Sequence, residues 1–267
     1  MVDKSEKFSW LVRLGYAARG ITYILLGYIA LSTSGEVESG AAAVYDYLRE
    51  VPLGTAILWL MAIGLLAYAA FKFLSAIADI QNRGDDAKGL LKRVGDGASG
   101  VAHLFLAYAS YQFANGTKTS ASGEGSGQEM AGSVLSMDVG ALVIGVIGLG
   151  FLVGAFMQAK KAWTGSFMRH ISGGAPQGVE TAGKIGHAAR AIVFLLIGIS
   201  MLEGAWLSNE GRVKGLGEAI LSLRDTGVIY MAVAIGLIMF GVFSLVTARY
   251  RIIPDVNRAS LKPSVPA

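Results

Sequence analysis

Two stretches of the chain repeat one pattern: RLGYAARGITYILLG over residues 13–27 and KIGHAARAIVFLLIG over residues 184–198. A third copy, RVGDGASGVAHLFLA, occupies residues 93–107. Each copy opens with a basic residue, any residue and a glycine, and then continues into an apolar segment. The first and third copies place an arginine, Arg19 and Arg190, inside that apolar segment. Self-similarity of this kind predicts a chain built from three structural repeats.

The composition indicates an integral membrane protein. Of the 267 residues, 53% are hydrophobic and 16% are charged, and the mean hydropathy is +0.52. A soluble domain has about 25% charged residues. The 36 glycines suit helices that pack closely in lipid.

Six segments come close to the length of about 20 apolar residues that a membrane-spanning helix needs. They cover residues 14–33, 53–78, 97–114, 139–159, 186–207 and 227–247. Each repeat supplies two of them, joined by an external loop. The predicted fold is therefore an all-α integral membrane protein whose six transmembrane helices form three tandem hairpins with approximate threefold pseudo-symmetry.

The predicted boundaries are 1–83 for the first repeat, 84–165 for the second, 166–253 for the third and 254–267 for a cytoplasmic tail. Each external loop also contains a short amphipathic piece before the second helix. In the first loop, Val44, Tyr47 and Leu48 recur at helical spacing. We expect these pieces to be helices on the outer membrane surface.

Lysine and arginine set the predicted orientation, because basic loops stay in the cytoplasm. They are concentrated in the N-terminal segment, in the loops at 79–97 and 160–185, and after residue 248. The opposite loops are richer in aspartate and glutamate. Both termini are predicted to be cytoplasmic, and the basic inner rim is predicted to face anionic lipid.

The repeated openings, GYAARGITYILLG in particular, and second helices that contain GLLAYAAFKF resemble bacterial membrane proteins of the domain-of-unknown-function family 1206. The resemblance covers nearly the whole chain and implies six helices in three tandem domains of a bacterial inner membrane. The second repeat departs most, since Asp96 and Ser99 stand where the first has Tyr16 and Arg19. The resemblance implies no chemistry, cofactor or catalytic residue.

Charged residues inside the membrane are the main candidate site, since such residues are costly and face the bundle interior or the interface. Arg19 and Arg190 are equivalent, and Asp96 lies about one turn nearer the cytoplasm in the second repeat. One hypothesis is that the two arginines converge on Asp96 in a polar cluster. Alternatively, both arginines extend to lipid phosphates. A third alternative is an anion or lipid headgroup between them, which Asp96 would repel.

His103 and Lys72 are weaker candidates. His103 aligns with Tyr23 and Phe194, and it is either a hydrogen-bonded helix contact or a proton relay. Lys72 lies near the cytoplasmic end of its helix, where extension to the interface is expected. The different depths of His103 and His187 disfavour a pair of haem ligands.

Glu203 and a pair of glycines complete the candidates. Glu203 aligns with the external ends of the other first helices, where water reaches. Gly150 and Gly154 have the spacing of a close helix contact, within the bundle or with another molecule.

The residues favour a non-enzymatic function. Cysteine is absent, and no nucleophile with a base, no paired carboxylates and no metal-ligand motif is evident, so no catalytic residue, metal or cofactor is predicted. No basic and aromatic module indicates nucleic acid. The preferred function is an accessory or scaffold protein that associates with membrane lipid and with another membrane protein or a second copy. The alternative is a transporter or channel for a small solute or ion, although inverted repeats are not evident.

Overall fold

A computed structural model describes residues 4–32, 41–50, 52–81, 83–117 and 127–253, so the predicted tail at 254–267 lies outside the described residues. The described residues form nine α-helices, joined in part by short 3-10 turns. The helices are α1 (Lys4–Ser32), α2 (Ala41–Glu50), α3 (Gly54–Ile77), α4 (Ala87–Ala114), α5 (Gly127–Leu135), α6 (Gly140–Thr164), α7 (Val179–Leu207), α8 (Leu216–Leu221) and α9 (Val228–Tyr250).

Five of the six long helices are long and apolar enough to cross a membrane. Their spanning segments are Val12–Ser32, Gly54–Ile77, Gly140–Thr164, Val179–Leu207 and Val228–Tyr250. The sixth, α4, has 28 residues and is as long as its neighbours. It is less apolar because it contains His103 and Gln112 together with several glycine, serine and tyrosine residues.

The arginine that opens a repeat binds the C-terminal end of a neighbouring long helix. Arg93 donates from Nε to the carbonyl oxygen of Ala76 at 2.8 Å and from Nη2 to that of Ile77 at 3.0 Å, at the end of α3. Arg13 donates from Nη1 to the carbonyl oxygen of Ala248 at 2.9 Å, at the end of α9. These carbonyls have no partner within the helix, and the positive charge faces the negative end of the helix dipole.

The glycine that follows in the first and third openings permits close approach of two helix backbones. A Cβ atom at Gly15 of α1 would lie 2.5 Å from Cβ of Tyr68 and 2.7 Å from the carbonyl oxygen of Gly64, both on α3. A Cβ atom at Gly186 of α7 would lie 2.5 Å from Cα of Phe240 on α9. No side chain fits at either place. The contacts hold α1 against α3 and α7 against α9.

The long helices pack in the order α4, α3, α1, α9, α7 and α6, each against the next. The first and third repeats thus form the predicted hairpins, α1 with α3 and α7 with α9. The second repeat does not, because α4 packs on α3 of the first repeat and α6 packs on α7 of the third. No comparable packing joins α4 to α6.

The glycines of the second repeat show the same difference. Gly95 has the place of Gly15 and Gly186 in the repeated opening, yet nothing lies within 4 Å of a Cβ atom built there. Gly150 of α6 is equally free of neighbours. The prediction that α4 and α6 pack together as a hairpin is therefore wrong.

Equivalent contacts made by α1 and α7 show which residues of α6 and α9 correspond to each other. Gly27 and Gly198 close the repeated stretch in α1 and α7. A Cβ atom at Gly27 would lie 2.6 Å from the carbonyl oxygen of Ala234, and one at Gly198 would lie 3.0 Å from that of Gly148. Ala234 of α9 thus corresponds to Gly148 of α6.

This register explains why α4 and α6 stay apart. It places Gly154 of α6 at the position of Phe240 in α9 and, by the same spacing, of Tyr68 in α3. Tyr68 and Phe240 are buried rings that fill the space beside the neighbouring first helix. Gly154 stands at that position in α6 and Ser99 replaces the arginine in α4, so the large side chains that fill this contact in the other two repeats are missing.

The three external loops contain the predicted short helices α2, α5 and α8. In α2, Val44 and Leu48 are 0% and 4% exposed and belong to the main hydrophobic core. Tyr45 is fully buried, and its hydroxyl donates to the carbonyl oxygen of Leu106 at 3.2 Å. The apolar face of α2 therefore packs on the ends of the long helices, where we expected it to lie on the membrane surface.

We expect Gly186→Leu to lower the free energy of unfolding by about 3 kcal/mol or more, because the added atoms overlap the backbone of α9. The matched variant Gly95→Leu should change it by less than about 0.5 kcal/mol, because nothing lies near that position. Thermal unfolding in detergent measures both. An equal loss in the two variants would contradict the separation of α4 from α6.

Candidate functional site

Two arginines approach one aromatic ring in the interior of the bundle. The Cζ atoms of Arg19 and Arg190 lie 5.0 Å and 4.4 Å from the ring centroid of Phe240. Arginine over an aromatic face is stabilised by the ring quadrupole. The two equivalent arginines are therefore brought together, but they meet at a ring of α9 and not at Asp96.

Arg19 is surrounded by hydroxyl groups and rings. It donates from Nη1 to the hydroxyl of Tyr68 at 2.8 Å and from Nε to the hydroxyl of Ser244 at 3.2 Å. Its Cζ atom also lies 4.7 Å from the ring centroid of Tyr16. These are neutral partners, so they solvate the guanidinium without cancelling its charge.

Arg190 has fewer polar partners. Its Cζ atom lies 4.8 Å from the ring centroid of Phe194 and 5.4 Å from that of Tyr23. Its Nε atom is buried and has no hydrogen-bond partner among the described residues. A buried donor without an acceptor costs roughly 1–3 kcal/mol, and more when the group is charged.

Asp96 has partners other than those predicted. Lys72 Nζ donates to Asp96 Oδ1 at 2.7 Å. Arg83 Nη2 lies 3.0 Å from Oδ2, an ion pair without hydrogen-bond geometry. The hypothesis that Arg19 and Arg190 converge on Asp96 is therefore wrong in its pairing, and Lys72 is bound inside the protein.

The position of Asp96 in its repeat explains this pairing. Asp96 aligns with His187, and both point at the second helix of the preceding repeat. His187 Nδ1 lies 2.6 Å from Gln158 Oε1 across the α6–α7 contact, as Asp96 meets Lys72 across the α3–α4 contact. Lys72 and Gln158 occupy the same place in their helices, as does Ser244, the partner of Arg19. Sequence reasoning missed Gln158 and Ser244, and only the correct register of the second helices identifies them.

His103 is a hydrogen-bonded helix contact. Its Nδ1 atom lies 2.7 Å from the carbonyl oxygen of Ser99, one turn earlier in α4. Its ring centroid lies 4.6 Å from that of Tyr68, the tyrosine that binds Arg19. His103 thus borders the arginine cluster from the side of α4.

The other predicted site residues lie apart from the arginines. Glu203 is exposed and lines an apolar groove of about 690 Å³ between the outer ends of α6 and α7. Gly154 faces Phe194, whose ring carbon would lie 3.0 Å from an added Cβ atom. Gly150 faces open space, so the predicted close contact is made by Gly154 and not by Gly150. Among the residues the structure describes, no three histidine, aspartate or glutamate side chains gather as metal ligands would.

The end of the bundle that contains the turn between α6 and α7 is rich in basic residues. Partial desolvation, followed by the charges of Arg251, Arg83, Arg169 and Lys161, lowers the pKa of His170 from its ordinary value to about 4. His170 ends the turn at Ser166–His170, between α6 and α7. An approaching anion would be attracted to this end of the molecule.

Comparison with known proteins identifies the family. The model of a Domain of Unknown Function, DUF1206, matches the chain three times, over residues 14–79, 94–165 and 185–251. The chain therefore belongs to this family, as its repeated openings indicated. It is also 29% identical over 262 residues to the uncharacterised protein YxxB of Bacillus subtilis (strain 168), covering 93% of this chain and 94% of that protein. No solved structure matches the chain.

We expect Asp96→Asn to lower the free energy of unfolding by about 3 kcal/mol, because it leaves Lys72 and Arg83 near each other without a counter-charge. Adding Lys72→Met should restore much of that loss. Adding Arg19→Met instead should not, because Arg19 has other partners. Chemical unfolding in detergent gives the three values, and rescue by the Arg19 substitution would contradict the observed pairing.

Proposed function

We propose that this protein is a non-enzymatic accessory protein of the bacterial inner membrane that works by lateral association. It binds a membrane phospholipid in the opening between α4 and α6. The observation that supports this proposal most directly is the open space at Gly95 and Gly150, since the equivalent glycines of the other repeats are filled by helix contacts.

The proposed arrangement has six spans around an approximate threefold axis, with one of its contacts missing. Three contacts between repeats recur in equivalent form: α1 with α9, α4 with α3 and α7 with α6. For example, Gly20 meets Leu245 and the equivalent Gly100 meets Phe73. Two contacts within repeats also recur, whereas the third would join α4 to α6. We include α4 among the spans because it packs along α3 over a similar length.

The faces that border the opening are uncovered. Ile147 of α6 is 42% exposed, whereas Met61 and Val233 at the same position of α3 and α9 are each 1% exposed. Ala98 of α4 is exposed, and the equivalent Ala18 of α1 is 3% exposed. Only 22% of the apolar segment of α6 is buried, against 50% for α1 and for α9. In the membrane these apolar faces are open to lipid acyl chains.

A phospholipid fits the opening better than a helix does, because arginines lie where the opening meets the interior of the bundle. Arg190 stacks on Phe194, and Phe194 in turn meets Gly154 of α6. The arginine therefore lies beside the part of α6 that has no side chain. A phospholipid supplies apolar chains for the uncovered faces and an anionic group for the arginine, and it is present at high concentration on every side.

The orientation has both termini in the cytoplasm. Exposed tryptophans stand near both ends of the long helices, as at the two membrane interfaces. Trp10 and Trp163 are 65% and 89% exposed at one end, and Trp59 and Trp206 are 41% and 89% exposed at the other. The first end also has the basic inner rim, which supports its assignment to the cytoplasm.

Single cysteines test this orientation in intact cells. Cysteines at Thr117 and Asn209 should react with an impermeant thiol reagent from outside, whereas cysteines at Gly84 and Gly173 should react only after the cells are opened. The native chain has no cysteine, so any labelling comes from the introduced residue. Labelling of the second pair from outside would reverse the assignment.

Filling the opening tests the function. Wild-type protein purified in a mild detergent should retain phospholipid, measured as phosphorus per protein and by native mass spectrometry, and Gly150→Trp should lose it. The control is Leu149→Trp, because Leu149 is 54% exposed and, like Ile63 and Ile235 in the other repeats, faces outward. Retention by Gly150→Trp, or absence of lipid from the wild type, would refute the proposal.

Reconstitution tests the alternative function. Liposomes that contain the wild-type protein should show no flux of ions or small solutes above that of empty liposomes. If a flux is found and either His103→Leu or Arg19→Ala abolishes it, the protein is a transporter and the accessory function is wrong.

A further inference from the structure

The arginine cluster lacks counter-charge. Neither Arg19 nor Arg190 forms an ion pair with any carboxylate among the described residues. Asp96 is engaged by Lys72 and Arg83, so its charge does not compensate theirs. The objection that Asp96 would repel an anion is thereby removed.

Two equivalent guanidinium groups on one ring are costly unless an anion joins them. The Cζ atoms lie 5.0 Å and 4.4 Å from the Phe240 ring centroid, so they are at most 9.4 Å apart, and like charges within that distance repel each other in a medium of low dielectric constant. The cation–π contacts and the hydroxyls of Tyr68 and Ser244 offset only part of this cost. The buried Nε atom of Arg190 still lacks an acceptor.

The second repeat differs from the other two at the positions that lie next to the arginines. Where α1 and α7 have arginine, α4 has Ser99. Where α3 and α9 have Tyr68 and Phe240, α6 has Gly154. Arg19 adjoins this position through Tyr68 and His103, and Arg190 adjoins it through Phe194 and Gly154. Both arginines thus border the inner side of the opening between α4 and α6.

We propose that Arg19 and Arg190 together bind the phosphate group of an anionic phospholipid whose acyl chains occupy the opening between α4 and α6. This proposal rests on the proposed function and specifies the ligand of the same site. A phosphate group has enough acceptor oxygens for both guanidinium groups, and guanidinium matches it with paired, charge-assisted hydrogen bonds. An anionic lipid also supplies the net negative charge that the cluster lacks.

The test measures which headgroup the protein selects. Full-length protein is placed in nanodiscs of phosphatidylcholine with one-fifth phosphatidylglycerol, then released and analysed by native mass spectrometry. The wild type should retain phosphatidylglycerol over phosphatidylcholine by about tenfold more than the bulk ratio, because the phosphate of phosphatidylcholine is balanced by its own ammonium group and that of phosphatidylglycerol is not. Arg190→Gln should lose this preference while still retaining a lipid. The matched control Arg212→Gln, at an exposed arginine of the outer loop, should keep it.

Further arms separate the possible failures. Arg190→Lys keeps the charge and should keep only part of the preference, which covers the case in which Arg190→Gln does not fold. Inorganic phosphate added to wild-type nanodiscs should not displace phosphatidylglycerol, and saturable displacement would overturn the lipid as the source of the phosphate.

If lipid is retained without headgroup preference, or with a preference that Arg190→Gln and Arg19→Gln both leave unchanged, the headgroup proposal fails and lateral binding stands. If Gly150→Trp retains as much lipid as the wild type, lateral binding fails as well.

Discussion

The structure depends on the approach of helix backbones at a few glycines. Gly15 lets α1 lie against α3, and Gly186 lets α7 lie against α9. In lipid the hydrophobic effect does not drive helices together, so close packing and polar contacts must hold them. The arginine two positions before Gly15, Arg13, acts at a second junction, where it binds the carbonyl oxygen of Ala248 at the end of α9. In the first repeat the basic–x–glycine opening therefore combines a helix cap with a backbone contact, whereas the second repeat keeps the cap through Arg93 and the third keeps the contact through Gly186.

Much of the fold follows from the sequence because repeats and hydropathy are local signals. The long helices were predicted from runs of apolar residues, the short helices of the loops from apolar residues at helical spacing, and the family from the repeated openings together with the second helices. The register of the second helices was not, since matching letters align Gly148 with Gly64, whereas the packing places Gly150 there. A shift of two residues turns a helix by more than half a revolution. It hid the equivalence of Lys72, Gln158 and Ser244, and with it the true partner of Asp96.

The pairing of Asp96 shows the limit of reasoning from depth alone. Depth along the helices indicated that an arginine stem could reach the carboxylate. Direction around the helix decided otherwise, because Asp96 points at α3, where Lys72 lies 2.7 Å away. Arg19 and Arg190 point into the bundle and meet Phe240 instead. A single sequence predicts the position of a side chain along its helix well. It predicts the direction in which the side chain points around the helix poorly when the register of the neighbouring helices is unknown.

The second repeat is where the structure departs from the pattern of the other two repeats. Its helices keep the contacts with the neighbouring repeats, through Asp96 of α4 and Gln158 of α6. They lack the large side chains that join the two long helices of the other repeats. Two uncompensated arginines beside an open face are costly inside a membrane. The proposed anionic phospholipid would neutralise that charge while its acyl chains cover the apolar face.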